Sequence, residues 1–384
     1  MFFLTTLLLS LVTQIYGAIR IDKDSIWKDV QYGIKIYKYK NTDRFTDVMN
    51  NLMENTCLKW NVTSNEIKEG QGINILQSKQ KSCYSVEIGA NTSKVPNTIF
   101  ATDWCMNNYY VMLGLVFNAL GLSYEHNRDD RDSFVKINNS SVKDSDQKYL
   151  TKDRDLNYTT ETFGTTYDYG SITHGGAFDY SSRGEQTITP VGDEQYIGWH
   201  NKTIGQRSIE SFNEYKLFNY LHCNHTCSKN ITCYRGGYQH PKKCGHCKCP
   251  FPFKDDHCTN LESNKGYCDT IRDLTAAEEE VRKGFANVAS CYVKITAKEN
   301  KKVQITVGLL NFQIPPNDIC SPGYQDVVEI IYSKYRSVTG LCLCAYIGGD
   351  YPNVTVISDN HEAFIVYKGS SYFNEFAFFY KAVP

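Results

Sequence analysis

Hydrophobic positions in the first half of the chain follow a helical period in one segment and form short apolar runs elsewhere. In residues 44–56 they fall at i, i+3, i+4, i+7 and i+8, one face of an amphipathic helix. That face consists of Phe45, Val48, Met49, Leu52 and Met53. A second apolar stretch, residues 109–122, predicts another helix with Gly121 at its C-terminal cap. Strand-like runs at 33–37 and 73–76 complete a prediction of mixed α/β structure.

From about residue 287 the pattern changes to β-branched and aromatic runs separated by turn residues. The runs are VQITVGLL, DVVEIIY, NVTVIS, AFIVYKG and FAFFYKA. This pattern is typical of an antiparallel β-sandwich. Residues 274–283, which precede it, predict a short linker helix.

Cysteine density divides the chain into three parts. Three of the fifteen Cys lie in residues 18–222, seven in 223–258 and five after 260. A chain of 384 residues also exceeds one compact core. We therefore expect a large domain at residues 18–223, a small disulfide-stapled module at 224–259, and a linker helix with a third domain at 260–384.

Several features indicate export. Residues 1–17, MFFLTTLLLSLVTQIYG, contain an apolar stretch that suits a signal peptide and is too short to span a bilayer. We expect cleavage after Gly17; a buried N-terminal helix or strand is the alternative interpretation. The clustered Cys suit an oxidising compartment. Nine Asn-x-Ser/Thr glycosylation sequons agree, at Asn61, Asn91, Asn138, Asn139, Asn157, Asn201, Asn224, Asn230 and Asn353.

The charge balance narrows the range of partners. Lys and Arg number 41 against 42 Asp and Glu, which gives a net charge of −1. Binders of nucleic acid or of membrane surfaces need a basic bias that this chain lacks. No second long apolar run follows the N-terminal one, so we expect a secreted, extracellular protein without a membrane span.

Residues 114–132, GLVFNALGLSYEHNRDDRD, resemble the signature of the astacin family of zinc metalloproteases. In that family a zinc-binding helix ends at a Gly, here Gly121, and continues into Glu-His-x-Arg-x-Asp-Arg-Asp, here residues 125–132. The family's chemistry needs His-Glu-x-x-His on one helix, with the Glu as general base. A third His after the Gly completes the zinc site. The resemblance implies an astacin α/β fold for residues 18–223.

In this chain, other residues occupy the positions of the three zinc-binding His and of the Glu base. Gly114, Asn118 and Tyr124 stand at the three His positions, and Leu115 stands at the Glu position. Glycine has no donor atom, an amide is a poor zinc ligand, and a phenol with a pKa of about 10 binds only as phenolate. Without zinc the attacking water keeps a pKa of about 15.7 instead of about 7, and losing the base costs roughly 10²–10⁴-fold more. We therefore expect no catalytic residues, no metal ligands and no cofactor.

The family's Ser-x-Met-His-Tyr turn beneath the zinc is also altered. Residues 167–178 read YDYGSITHGGAF, with Ser171 and His174 in register. Thr173 stands where the Met would be, and Gly175 where the zinc-facing Tyr would be. Because His126 and His174 remain in this region, a relocated metal site that uses them is left open.

The cysteines extend the resemblance to nearly the whole chain after residue 17. The astacin landmarks imply the pairs Cys57–Cys223 and Cys83–Cys105. The next six Cys resemble an EGF-like module, with pairs Cys227–Cys244, Cys233–Cys247 and Cys249–Cys258. A zinc knuckle that includes His246 and His257 is the alternative interpretation, which disulfides outweigh in an exported chain.

The last region resembles a CUB domain, through its cysteine spacing and the strand QDVVEI. The resemblance implies the pair Cys268–Cys291 and a bridge from Cys320 to Cys342 or Cys344, of which we take Cys342 as the expected partner. Spacing alone does not decide whether Cys342 or Cys344 stays unpaired. Asp326 matches a residue that binds calcium in many CUB domains, but a later Asp is replaced near residues 368–369. A complete calcium site is therefore not supported.

Two functions follow from the sequence. The first is a non-catalytic relative of an astacin protease that binds or regulates extracellular proteins or peptides. The alternative is an active secreted zinc metalloendopeptidase with an atypical site.

Overall fold

The fold is that of a computed structural model, which describes residues 18–28, 30–91, 94–268, 271–312, 319–323, 326–348 and 354–384. The expected signal peptide and the sequon at Asn353 lie outside these residues.

Helices are concentrated in the first part of the chain. They are α1 (Asp43–Asn55), α2 (Asp103–Met106), α3 (Tyr109–Ala119), α4 (Glu194–Thr203) and α5 (Phe212–His222). Short 3-10 segments cover Glu125–Asn127, Arg131–Ser133, Asn139–Ser141, Asp144–Leu150 and Asp153–Leu156. The predicted amphipathic helix is confirmed as α1, which buries Phe45, Val48, Met49 and Leu52. Thr42 caps it by accepting a hydrogen bond from the Phe45 N–H.

A mostly parallel sheet accompanies these helices. The strands of the first part are β1 (Ile19–Arg20), β2 (Ile34–Lys38), β3 (Trp60–Val62), β4 (Ile73–Gln77), β5 (Tyr84–Ser85), β6 (Asn97–Ala101), β7 (Val135–Ile137), β8 (Thr160–Glu161) and β9 (Ile188–Pro190). The main sheet has the order β3-β2-β4-β6-β5, in which only β5 runs antiparallel to its neighbour. The predicted mixed α/β structure is therefore confirmed.

The second predicted helix, α3, lies in the core and ends close to its predicted cap. Its residues 112–119 are all buried, as expected for a helix that is apolar all round. Leu120 is the C-cap, and Gly121 follows with φ of +110°. A side chain is strained at that φ, so glycine allows the chain to reverse here.

A disulfide-rich segment follows α5. Its strands pair as two small antiparallel ribbons: β10 (Tyr238–Gln239) with β11 (Cys247–Lys248), and β12 (Phe253–Lys254) with β13 (Asn260–Leu261). Three disulfides close it: Cys227–Cys244, Cys233–Cys247 and Cys249–Cys258. These are the pairs that the resemblance implies.

The remaining strands form two sheets around a shared core. They are β14 (Asp273–Thr275), β15 (Val281–Ala286), β16 (Ala289–Thr296), β17 (Lys302–Asn311), β18 (Val327–Ile331), β19 (Leu341–Leu343), β20 (Val354–Ile357), β21 (Glu362–Gly369) and β22 (Glu375–Val383). The sheet orders are β14-β16-β21-β18-β19 and β15-β22-β17-β20. Buried residues of both sheets, such as Ile305, Ile365 and Phe378, belong to one hydrophobic cluster.

The predicted linker helix at residues 274–283 is wrong. This stretch contributes β14, which pairs in parallel with β16, and the start of β15, which pairs antiparallel with β22. Local helix propensity differs by less than about 1 kcal/mol per residue among ordinary residues, so pairing with an existing sheet can override it.

The remaining disulfides follow the expected pattern except at one position. The structure joins Cys57 to Cys223, Cys83 to Cys105 and Cys268 to Cys291. The expected Cys320–Cys342 pair is wrong: Cys320 pairs with Cys344, and Cys342 is a buried free thiol. Cys342 lies in β19 and Cys344 directly follows that strand, and residues only two apart cannot be separated as partners by spacing.

None of the helices within the described ranges combines the length and apolarity needed to cross a membrane.

Cysteine mapping tests this disulfide pattern. We expect one alkylated site, Cys342, when the protein is unfolded without a reductant, and almost none while it is folded, because Cys342 is fully buried. Mass spectrometry of peptides from both samples provides the measurement. Alkylation at Cys344 instead would refute the assigned pair.

Candidate functional site

The turn at residues 171–175 contacts both α3 and the segment that follows it. A Cβ placed on Gly114 would lie 3.4 Å from the Ile172 carbonyl oxygen. The Thr173 hydroxyl donates to the Ser123 carbonyl oxygen at 3.2 Å, and Gly175 N–H donates to His126 Nδ1 at 2.9 Å. The turn therefore links the helix to the segment around Tyr124.

Asn118 uses its polar atoms to shape the end of α3. Its side-chain Nδ2 donates to the Leu122 carbonyl oxygen at 2.9 Å, across the reversal at Gly121. Its backbone carbonyl oxygen accepts hydrogen bonds from the N–H groups of Gly89 and Gly121. Asn118 is buried, so these contacts stabilise the chain reversal.

Tyr124 is a protonated phenol within a group of aromatic side chains. Its ring stacks on His126 with centroids 5.3 Å apart, and its hydroxyl bonds with the Tyr180 side chain. Burial, with a smaller contribution from Tyr149, raises the pKa of Tyr124 to about 12. At neutral pH it is therefore not the phenolate that a metal ion would need.

The two remaining histidines have both ring nitrogens in hydrogen bonds. His126 Nδ1 accepts from Gly175 N–H, so its Nε2 donates to the Tyr149 carbonyl oxygen at 3.1 Å. His174 Nδ1 donates to the Gly175 carbonyl oxygen, and its Nε2 accepts from the Tyr167 hydroxyl, both at 2.6 Å. Burial lowers the pKa of His174 to about 4 and that of His126 well below its usual value. Both rings are neutral, and neither has a free lone pair for a metal.

Arg207 adds a positive charge to this region. Its guanidinium donates to the His174 carbonyl oxygen at 3.1 Å and to the Gln206 carbonyl oxygen. Its charge is among the causes that lower the pKa values of His126 and His174. A permanent cation next to both rings opposes the binding of a second cation.

The residues at the family's zinc-ligand and general-base positions do not fit a zinc ion. Zinc takes nitrogen, thiolate or carboxylate donors with free lone pairs, usually four in a tetrahedron. Gly114 and Leu115 offer no donor, Asn118 offers only a neutral amide whose Nδ2 already donates to Leu122, and Tyr124 is protonated. Among the described residues, no group of three or more His, Cys, Asp or Glu side chains is placed to hold a metal ion.

Gly175 is closely surrounded. A Cβ there would lie 3.0 Å from Ile188 Cδ1 and 3.1 Å from His126 Cε1, both closer than ordinary van der Waals contact. A larger residue would require Ile188 or His126 to move. The packing around the turn therefore matches glycine at this position.

A buried ionic group holds the segment after α3. Arg128, 1% exposed, donates from Nε and one terminal nitrogen to the two Asp130 carboxylate oxygens at 2.9 and 2.8 Å. It also donates to the Thr165 carbonyl oxygen and lies 3.5 Å from the Glu125 carboxylate. Glu125 in turn accepts from the Asp168 N–H at 2.9 Å. These contacts connect the stretch at 125–132 to the turn.

Glu214 of α5 supports the turn from the opposite side. One of its carboxylate oxygens accepts from the Ser171 hydroxyl at 2.6 Å and from the Ile172 N–H at 3.2 Å. Its other oxygen has no hydrogen-bond partner, and burial raises its pKa to about 7. The turn is thus fixed by a carboxyl group 43 residues further along the chain.

Comparison with known families identifies this arrangement. A family model described as "Astacin", a peptidase family, matches residues 20–223. The chain belongs to the astacin family. The match contains α3, the turn and α5, so the structural positions described above lie within the family's domain.

The astacin relatives include curated nematode proteins. Zinc metalloproteinase nas-34 of Caenorhabditis elegans is 30% identical over 289 residues, 75% of this chain and 44% of the relative. Zinc metalloproteinase dpy-31 of Brugia malayi is 27% identical over 323 residues, 82% of this chain and 51% of the relative. The chain thus spans about half of the length of these relatives, or less.

Among solved structures, a hatching-enzyme zinc-protease, High choriolytic enzyme 1 of Oryzias latipes, is similar with a TM-score of 0.41. Its sequence identity is 24%, over 51% of this chain and 94% of that chain.

Sequence reasoning identified the turn and the helix but missed two residues that shape the site. Glu214 and Arg207 are ordinary charged residues in a helix and a loop, outside any motif. Their roles arise from contacts across 43 and 33 residues of sequence. No local pattern marks such contacts.

The raised pKa of Glu214 gives a pH-dependent stability. The folded protein keeps a proton up to about pH 7 that the unfolded chain loses near pH 4.5. The stabilisation is therefore full below pH 4.5 and is lost as the pH rises through 7. We expect Glu214→Gln to remove this decline, up to about 1.4 kcal/mol per pH unit, in denaturant unfolding at pH 5 to 7.

The exposed Glu194, at the start of α4, provides the matched control. Glu194→Gln should leave the curve of unfolding free energy against pH parallel to that of the wild type. If the Glu214→Gln curve is parallel as well, Glu214 does not hold the extra proton.

Proposed function

We propose that this chain is a secreted member of the astacin family that lacks peptidase activity and acts as a binding or regulatory protein for extracellular proteins or peptides. The proposal rests mainly on one observation: the side chains that could bind a metal at the site already form hydrogen bonds within the protein. His126 and His174 use their ring lone pairs in hydrogen bonds within the protein, and the Asn118 amide closes the turn after α3.

The position of the general base supports the same conclusion. Leu115 is apolar and 8% exposed, so it cannot accept a proton from water. Peptide hydrolysis in this family needs both a metal-activated water and this base. Neither is supplied by the residues at the expected positions.

Two further modules fit a binding role. We assign residues 224–259 to an EGF-like module, supported by three disulfides within about 30 residues. We assign residues 260–384 to a CUB-like domain, supported by the two packed sheets. Modules of these two kinds commonly mediate protein contacts, and here they follow the astacin domain directly.

We propose no calcium-binding site in the CUB-like domain. Asp326 accepts hydrogen bonds from the Ser370 N–H and hydroxyl and from the Asn374 amide. Calcium needs six to eight oxygen ligands, so a site here would have to displace these donors. The replacement of the later Asp points the same way.

Secretion is supported by the seven disulfides among the described residues, which are typical of an oxidising compartment. Asn61, Asn139, Asn157, Asn224 and Asn230 are exposed, which suits glycosylation at these sequons. The sequon asparagines Asn91, Asn138 and Asn201 are half-buried.

The alternative function is an active zinc endopeptidase. The names of nas-34 and dpy-31 as zinc metalloproteinases favour it. It would require metal ligands other than those at the family positions.

A peptidase assay separates the two functions. We expect the purified, zinc-supplemented protein to leave casein and fluorogenic peptides uncut, with or without a zinc chelator, while an active astacin serves as the positive control. Cleavage that the chelator abolishes would overturn the proposal in favour of the alternative.

Restoring the base alone should have no effect. Leu115→Glu is expected to remain inactive in the same assay, because no metal activates water beside it. The quadruple variant Gly114→His/Leu115→Glu/Asn118→His/Tyr124→His is the matched comparison. Measurable hydrolysis by Leu115→Glu alone would show that a metal is already bound.

A further inference from the structure

A cavity lined by aromatic rings lies between the astacin domain and the β-sandwich. Its volume is about 390 Å³, within the usual range for small-ligand sites. The astacin domain contributes Tyr169 and Tyr196, and the sandwich contributes Tyr332. None of the six altered positions around α3 lines it. The cavity therefore excludes those positions and borders the astacin site only through Tyr167, whose hydroxyl donates to His174.

The rings meet at angles that form walls rather than a single stack. Tyr169 stacks on His200 with centroids 4.0 Å apart, and Tyr196 stands at 88° to the same imidazole. Tyr196 and Tyr332 lie 5.6 Å apart at 48° across the boundary between the two regions. A ligand in such a space meets ring faces on more than one side.

The charged side chains that line the cavity are negative. The lining includes the carboxylates of Asp193 and Asp359 and contains no Lys or Arg side chain. Both aspartates are exposed, and neither forms an ion pair with a described residue. An anion would be repelled here and a cation attracted.

His200 provides an unpaired polar atom in the wall. It is 5% exposed, and its Nδ1 has no hydrogen-bond partner. Burial lowers the pKa of His200 to about 4, so the ring is neutral at physiological pH. A neutral ring nitrogen can accept a hydrogen bond from a ligand N–H or O–H and adds no competing charge.

We infer that this interdomain cavity binds an alkylammonium group, held by the faces of Tyr169, Tyr196 and Tyr332 with Asp193 and Asp359 at its rim. Aromatic walls without basic residues suit organic cations, because the ring quadrupole attracts positive charge.

Calorimetry with choline tests the inference. Its uncharged carbon analogue, 3,3-dimethylbutan-1-ol, has nearly the same shape and serves as the ligand control. We expect choline to bind at least about tenfold more tightly, because only the charge differs. An Nα-acetyl-lysine amide forms a second arm. Tighter binding of that compound identifies a protein lysine as the source of the group, and tighter binding of choline identifies a small molecule.

Variants of Tyr332 and Asp359 test the contribution of the protein. Tyr332→Leu should weaken binding of the preferred cation by about fivefold, since it removes a ring face but keeps apolar bulk. Tyr332→Phe should stay within about twofold of the wild type. Asp359→Asn, at an exposed position, should weaken binding by about threefold and tests the charge without touching the core.

Three results would overturn the inference. The first is equal binding of choline and its neutral analogue, which would make the cavity merely apolar. The second is binding of a methyl glycoside with no binding of either cation. The third is the absence of heat with both cations at about 10 mM, when circular dichroism shows the protein to be folded.

Discussion

The buried guanidinium of Arg128 is the interaction on which the astacin site depends. A charge removed from water costs several kcal/mol unless paired and hydrogen-bonded. Here Asp130 accepts two hydrogen bonds, Thr165 accepts a third through its carbonyl oxygen, and Glu125 lies beside the group. Because these partners come from the segment after α3 and from the stretch that leads into the turn, both must adopt one geometry for the charge to be satisfied.

This compensation needs no metal ion. The helix, the segment after it, the turn and α5 are joined by hydrogen bonds that Asn118 and Thr173 donate and that His126 and Glu214 accept. These bonds hold in place the same parts of the chain that surround the zinc in family members with the full ligand set. These contacts explain how the astacin fold is maintained around the altered positions. Under the proposed function, the protein's interactions would fall to its other surfaces and to the cavity lined by Tyr169, Tyr196 and Tyr332.

The features that could be predicted from the sequence are those determined by residues close together in the chain. The period of residues 44–56 gives α1, and Gly121 marks the reversal that the left-handed backbone requires. The stretch at 274–283 was mispredicted because its pairing partners, β16 and β22, lie far away in sequence. The choice between Cys342 and Cys344 depended on which of two thiols, two residues apart, reaches Cys320 in the folded chain. Arg207 and the aromatic cavity depend wholly on how distant segments meet.

Zinc content is the most direct test of the central claim that the astacin fold is kept here without its metal. The purified protein is dialysed against zinc, then against buffer, and its metal is measured by mass spectrometry. Gly114→His/Asn118→His/Tyr124→His is measured beside it, since a Cβ at residue 114 has room. The account predicts zinc at the buffer background for the wild type and about one equivalent for the variant. One equivalent of retained zinc in the wild-type protein would contradict it.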